Sequence, residues 1–380
     1  MKTIGKIIAV AAGIFLAAKV NAQPALKDVF KNDFLIGAAL NPAQFCESNA
    51  MEAALVRRQF NTITPENVLK WELVHPAPDR YDFALADRYV EFGVTNGMAI
   101  IGHTLVWHNQ TPGWVFQDDQ GKPVSREILL QRMREHIFTV VGRYKGRIKG
   151  WDVVNEALAE DGSLRQSPWL KIIGEDFILK AYQFAHEADP QAELYYNDYS
   201  LENKPKQRGA VALIRQLQAQ GVKIAAVGLQ SHVKMDWPSP GREEAAIAAF
   251  AKLGVKVNIT ELDVDVLPPA SRDVTAEVSK NFKRSEKLNP YAGGLPEAVQ
   301  QQLASRYAEL FGVFLKHRQD IGRVTFWGVT DGNSWLNNWP VRDRTSYPLL
   351  FDRAGKPKPA FDQVIQTAGQ FAGGPQSPSS

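Results

Sequence analysis

The sequence predicts a (β/α)8 barrel, the TIM-barrel class of α/β proteins, built as a single domain. Eight short apolar segments of strand character alternate with eight longer segments whose apolar residues recur at three-to-four spacing. Unusual polar and aromatic residues collect at the carboxyl ends of the strand segments, the face on which a barrel of this kind carries its chemistry. No glycine-rich phosphate loop opens any of the helices, which disfavours the competing open, doubly wound sheet.

In chain order, strands are predicted over 34–40, 62–66, 99–107, 148–156, 193–199, 225–232, 256–264 and 323–330. The partner helices are predicted over 48–60, 83–96, 125–144, 170–188, 206–220, 243–253, 296–317 and 360–371. Pro, Ser or Asp stands near several helix starts, and Gly97, Gly221 and Gly254 lie just past helix ends, as helix punctuation requires. The connection over 267–295 is long for a strand-to-helix loop and is expected on the active face.

The 380 residues divide unevenly. Residues 1–22 read as a secretory signal peptide: Lys2 and Lys6 precede an apolar run from Ile7 to Ala18, and Val20-Asn21-Ala22 offers small residues for cleavage. The run is too short for a membrane span, so the protein is expected to be secreted, to the periplasm or the medium. Residues 23–372 form the catalytic domain, expected to act as a monomer, and 373–380 a flexible Gly/Pro/Ser tail. The leader holds three lysines and no acid; without it 41 basic residues balance 41 acidic ones. A neutral chain argues against nucleic acid as a partner. The single cysteine, Cys46, excludes an internal disulfide and reads as a small hydrophobe.

The strand ends carry the chemistry. Thr64-Pro65-Glu66-Asn67 with Lys70 closes the second strand, and His103-Thr104-Leu105-Val106-Trp107-His108 the third. Asn155-Glu156 closes the fourth, Asn197-Asp198-Tyr199 the fifth and Gln230-Ser231-His232 the sixth. The seventh ends in Glu261-Leu262-Asp263, and the eighth in Phe326-Trp327-Gly328, with Trp335 in the loop beyond. Polar groups at one end of so many strands have no packing rationale. A carboxylate at a buried strand end is costly, and Glu156 and Glu261 together supply the pair that glycosidases use. His103 and His108 are five apart, on opposite faces of a strand, and no acid completes a metal site; neither metal nor cofactor is expected.

In order, the chain contains Thr-Pro-Glu-Asn-x-x-Lys-Trp, Gly-His-Thr-Leu-Val-Trp-His, Trp-Asp-Val-Val-Asn-Glu-Ala, Gly-Leu-Gln-Ser-His, Ile-Thr-Glu-Leu-Asp and Phe-Trp-Gly-Val-Thr-Asp-Gly-x-Ser-Trp-Leu. It resembles glycoside hydrolase family 10, the retaining endo-β-1,4-xylanases. The resemblance implies Glu156 as general acid/base and Glu261 as nucleophile, with carboxyls ~5–5.5 Å apart as retention demands. It further implies that Glu66, Asn67 and Lys70 grip the second glycone sugar, that His103, Trp107 and His108 shape the first, and that Trp327 and Trp335 wall it. Asn155 is to donate to the 2-hydroxyl, and Tyr199 and Asn197 are to touch the first aglycone sugar. Asp263 is two residues from Glu261 and faces the same way; it can hold His232, which shares a face with Gln230 and can keep the nucleophile ionised. Alternation points Asn155 away from the side of Glu156, so a bulge or a departure from the pleat is expected there. The substrate implied is xylan and its oligosaccharides; a cellulase or mixed xylanase/cellobiosidase, or a non-catalytic barrel that binds polysaccharide, is the alternative.

Overall fold

The computed structural model describes residues 23–270 and 282–372. The predicted leader, the tail and the middle of the 267–295 loop lie outside the described residues.

Eight parallel strands close into a barrel. They are β1 (Leu35–Leu40), β2 (Thr62–Pro65), β3 (Ala99–Val106), β4 (Gly150–Asn155), β5 (Glu193–Asp198), β6 (Ala226–Leu229), β7 (Lys256–Asp265) and β8 (Ile321–Phe326). Each pairs in parallel with its neighbours in sequence, and β1 pairs with β8 through Leu35↔Arg323 to Ala38↔Phe326, which closes the ring. The principal outer helices are α1 (Ala50–Gln59), α2 (Ala84–Thr95), α3 (Arg126–Arg143), α4 (Phe177–Ala188), α5 (Lys204–Ala219), α6 (Pro240–Ala251), α7 (Glu297–Lys316) and α8 (Pro359–Ala372). One hydrophobic core joins the outer faces of the strands to the helices, with Trp71, Trp151 and Trp169 among its largest buried side chains. Among the described residues no helix is long and apolar enough to cross a membrane.

Two predicted elements are corrected. The helix expected over 170–188 is two, Pro168–Ile173 and α4, because Gly174 at φ 98° caps the first in a conformation that an L side chain rarely adopts. The apolar periodicity runs on across that break and hides it. The sixth strand, expected over 225–232, ends at Leu229. Ser231 turns at φ 58°, and His232–Lys234 then forms a short strand against the end of β7, pairing His232↔Asp263.

The barrel interior contains polar side chains. Arg323 inside the barrel lies 3.8 Å from Asp152 and 5.5 Å from the Tyr195 ring centroid. Gly228 in β6 faces this interior, where a Cβ would come within 2.3 Å of Asn197 Oδ1. The glycine therefore makes room for a side chain of the site above.

Candidate active site

A cavity of about 690 Å³ opens at the carboxyl ends of the strands, and both Glu156 and Glu261 line it. Glu156 and Glu261 are only 6% and 5% exposed, so each must be held by partners.

Glu156 reaches the cavity through its backbone. Pairing of β4 slips between Asp152 and Val154 against β5, and β4 ends at Asn155; Glu156 then turns to φ 56°. Both devices allowed by the sequence, a bulge and an exit from the pleat, are present. They let Asn155 and Glu156, adjacent in sequence, serve one site. The turn is anchored by Glu156 N–H donating to Asn197 O at 2.9 Å and by Arg165 Nε donating to Glu156 O at 2.9 Å. Positive φ recurs at Ser200 after β5 and Ser231 after β6, so backbone strain gathers at this rim.

The Glu156 carboxylate accepts from neutral donors: Trp107 Nε1 at 2.8 Å and Gln230 Nε2 at 2.9 Å. Burial pushes this carboxyl above the usual range; the two donors offset part of the rise, while the negative charges of Asp198 and Glu261 add to it.

Glu261 is surrounded differently. It accepts from Asn197 Nδ2 at 2.8 Å and from His232 Nε2 at 3.1 Å. The other ring nitrogen of His232 donates to Asp263 Oδ1 at 3.1 Å, and Trp335 Nε1 donates to Asp263 Oδ2 at 2.7 Å. Burial works against the imidazolium, but Asp263 and Glu261 outweigh it and push His232 up to about 10. Burial likewise works to raise Glu261, yet the charged His232, with Asn197, holds that carboxyl below its ordinary value. One cavity thus contains a carboxyl biased towards its acid form and a carboxylate biased towards its base form.

Across the bowl, Lys70 donates to Asn67 Oδ1 at 3.1 Å and Gln110 Oε1 at 2.9 Å, and its ammonium lies 4.9 Å from the Trp107 ring centroid. Burial lowers Lys70, partly offset by Glu261 and Glu66; burial raises Glu66, partly offset by Lys70. Trp107 thereby links this polar corner to Glu156. His103 Nδ1 pairs with Asp152 Oδ2 at 2.9 Å, and its ring stands edge-on to Trp327, 5.6 Å between centroids. Tyr199 accepts from Arg165 Nη2 at 2.8 Å and has the Lys206 ammonium 3.2 Å from its ring centroid; Lys206 pairs with Asp198 at 3.0 Å.

The profile of "Glycosyl hydrolase family 10" matches residues 25–367. The chain belongs to this family. Among its relatives, "Endo-1,4-beta-xylanase A" of Xylanibacter ruminicola is 47% identical over 351 residues, covering 92% of this chain and 95% of the relative. "Beta-1,4-xylanase" of Dictyoglomus thermophilum is 43% identical over 345 residues, covering 90% and 91%. A solved structure described as a GH10 endoxylanase retrieved from a sugarcane soil metagenome superposes with a TM-score of 0.86 at 46% identity, covering 91% of this chain and all of that one. The protein is a glycoside hydrolase with the barrel of family 10.

Most of the residues expected at the family 10 site line the cavity: Glu66, Asn67, Lys70, His103, Trp107, Asn155, Tyr199, Gln230, His232, Asp263, Trp327 and Trp335, with the two glutamates. Two of the expected residues do not line the cavity. Asn197 is fully buried beneath the floor; besides Glu261 it meets the Asn155 amide at 2.9 Å and accepts from Thr260 Oγ1 at 2.7 Å, a placement that holds the carboxylate. His108, just past the end of β3, is not among the residues that line the cavity; it meets Asn109 at 3.1 Å. The sequence reading also missed Gln110, which lines the cavity and binds Lys70, and Asp152, which orients His103. Gln110 carries no local signal. Asp152 sits in a strand as a charged residue among apolar ones, which is a signal.

Proposed function

We propose that this family 10 protein is a retaining endo-1,4-β-xylanase, exported under the direction of its N-terminal leader. The observation that carries the division of roles is the unlike partners of two buried carboxyls in one cavity: neutral donors and burial bias Glu156 to keep its proton, and His232 biases Glu261 to lose it. The substrate is taken from relatives at 47% and 43% identity that bear xylanase names.

In the first step an oxygen of Glu261 bonds to the anomeric carbon as the glycosidic C–O bond breaks, and the Glu156 proton passes to the departing oxygen. Esterification removes the Glu261 charge that had helped to raise Glu156. Glu156, now a carboxylate, takes a proton from the incoming water. The water oxygen bonds to the anomeric carbon, and Glu261 leaves as the carboxylate that His232 and Asn197 stabilise. Asn155 serves the 2-hydroxyl beside the nucleophile. Glu66, Asn67 and Lys70 hold the second glycone sugar, His103 and Trp107 the first, and Trp327 and Trp335 supply its apolar wall. Tyr199 meets the first aglycone sugar.

The test compares kcat/KM for aryl xylobioside with that for aryl cellobioside. A higher value for the xylose substrate is expected, and a higher value for the glucose substrate rejects this reading. The first product seen by NMR is expected to be the β anomer; an initial α anomer rejects retention.

A further inference from the structure

Glu243 is a buried carboxyl that the mechanism above does not use. It stands in the first turn of α6 and is 1% exposed. Among the described residues its side chain makes a single hydrogen bond, from Ser231 Oγ to Glu243 Oε1 at 2.9 Å. Arg306 of α7 is a nearby cation, but its guanidinium donates to Lys234 O, Pro238 O and Glu309. Burial, with the charge of Glu202 in the loop after β5, pushes Glu243 up to about 7. An acid suits the start of a helix, but an exposed one serves that purpose as well. A buried one with a lone hydroxyl partner needs another reason.

Ser231 gives that reason, because it lies between the donors of the two acids. Gln230 Nε2 donates to Glu156 at 2.9 Å, and His232 Nε2 donates to Glu261 at 3.1 Å. The residue between them sets the angle between the two side chains. Its backbone is left-handed, at φ 58°, a region that a serine rarely adopts without support. The flanking backbone is tied on both sides. Gln230 N–H donates to Asp198 O at 3.1 Å, Glu261 N–H donates to Gln230 O at 2.9 Å, and His232 pairs with Asp263. Ser231 is held through its hydroxyl, and the holder is Glu243.

We propose that Glu243 is a positioning residue for both carboxyls: by accepting from Ser231 it fixes the turn that aims Gln230 at Glu156 and His232 at Glu261. The inference rests on the roles given above to the two glutamates. One helix outside the barrel thereby supports two ionisations at once. When the hold is lost, both donors loosen. Each of them favours the ionised form of its carboxyl, so both carboxyls rise.

The test reads the pH profile of kcat/KM on an aryl xylobioside beside the titrations of Glu156 and Glu261 by carboxyl-carbon NMR, which needs no substrate. Glu243→Ala is expected to raise both titrations and both limbs together by about half a pH unit, with a roughly tenfold loss at the optimum. Ser231→Ala breaks the same bond from its other end, so it is expected to match, and it carries the test if Glu243→Ala does not fold. The double variant should move the titrations no further than either single one. Glu243→Gln keeps an acceptor for the hydroxyl and is expected to keep the wild-type titrations. Titrations that stay in place in the alanine variants, a rise of one carboxyl alone, or a Glu243→Gln shift equal to that of Glu243→Ala overturns the positioning. Titrations that rise under limbs that do not move leave the positioning standing and reject the roles assigned to the glutamates.

Discussion

Glu156 and Glu261 are the same residue type, almost equally buried, in one cavity, and they are pushed in opposite directions. On the β4 side the carboxylate's partners are an indole and an amide, both neutral, and the charges of Asp198 and Glu261 add to the rise that burial causes. On the β7 side the partner is an imidazolium, itself locked in its charged form by Asp263 and Trp335. Burial alone raises both carboxyls; the hydrogen bond and charge of His232, helped by His103 and Asn197, hold Glu261 ionised. The comparison teaches that the division between the proposed acid and the proposed nucleophile lies in the partners, at least as much as in the glutamates.

The comparison can be broken outright by truncating each glutamate. Glu261→Ala is expected to lose roughly 10⁵-fold or more in kcat/KM on every substrate, since no carboxylate remains to form the intermediate. Glu156→Ala is expected to lose roughly 10²–10⁴-fold on xylan. On dinitrophenyl xylobioside, whose leaving group needs no proton, it should keep most of its first-step rate, read as a burst. A reversal of the two phenotypes would exchange the roles.

A smaller change should turn the Glu261 side into a copy of the Glu156 side. His232→Gln keeps a donor to Glu261 but removes the positive charge. Activity is expected to fall roughly 10²-fold. The Glu261 carboxyl then rises, so the acid limb of the kcat/KM profile should move to higher pH; an unmoved limb would mean that His232 does not set the ionisation.

The same histidine sharpens the comparison in stability. Its folded pKa, about 10, lies above the ordinary value of 6.5, so its contribution is complete below that ordinary value and disappears as pH rises through about 10. The Tm gap between wild type and His232→Gln should therefore be widest below pH 6.5 and close towards pH 10. A gap that is constant over this range contradicts the charged pair.

The mildest test lies on the acid side. Gln230 donates to Glu156 and favours its ionised form. Gln230→Ala is expected to cost about tenfold and to move the basic limb of kcat/KM upward, because Glu156 then holds its proton to higher pH. A downward move would show that the amide acts through something other than this carboxylate.

Much of this was legible in the chain. The alternating pattern located the eight strands to within a few residues, and Glu156 and Glu261 were marked by their cost at strand ends as well as by the motifs around them. The relay from Asp263 through His232 to Glu261 followed from a spacing of two on adjacent strands, because pleating puts such residues on one face. The break in the sixth strand was not legible. Ser231, Ser200 and Glu156 adopt left-handed backbone, and nothing in those residue types announces it as a glycine would. Asn197 looked like a sugar contact because it stands at a strand end, and only its position below the floor made it a support for Glu261.

By itself, then, the sequence determined the barrel, the pair of acids and the family, since periodicity and motif are local properties that survive without coordinates. Only the tertiary structure decided which acid is biased to keep its proton, which polar residues line the cavity and which hold others in place. The reason is physical: ionisation and exposure depend on partners as distant in the chain as Gln230 is from Glu156, and such partners meet only when the ring of strands closes.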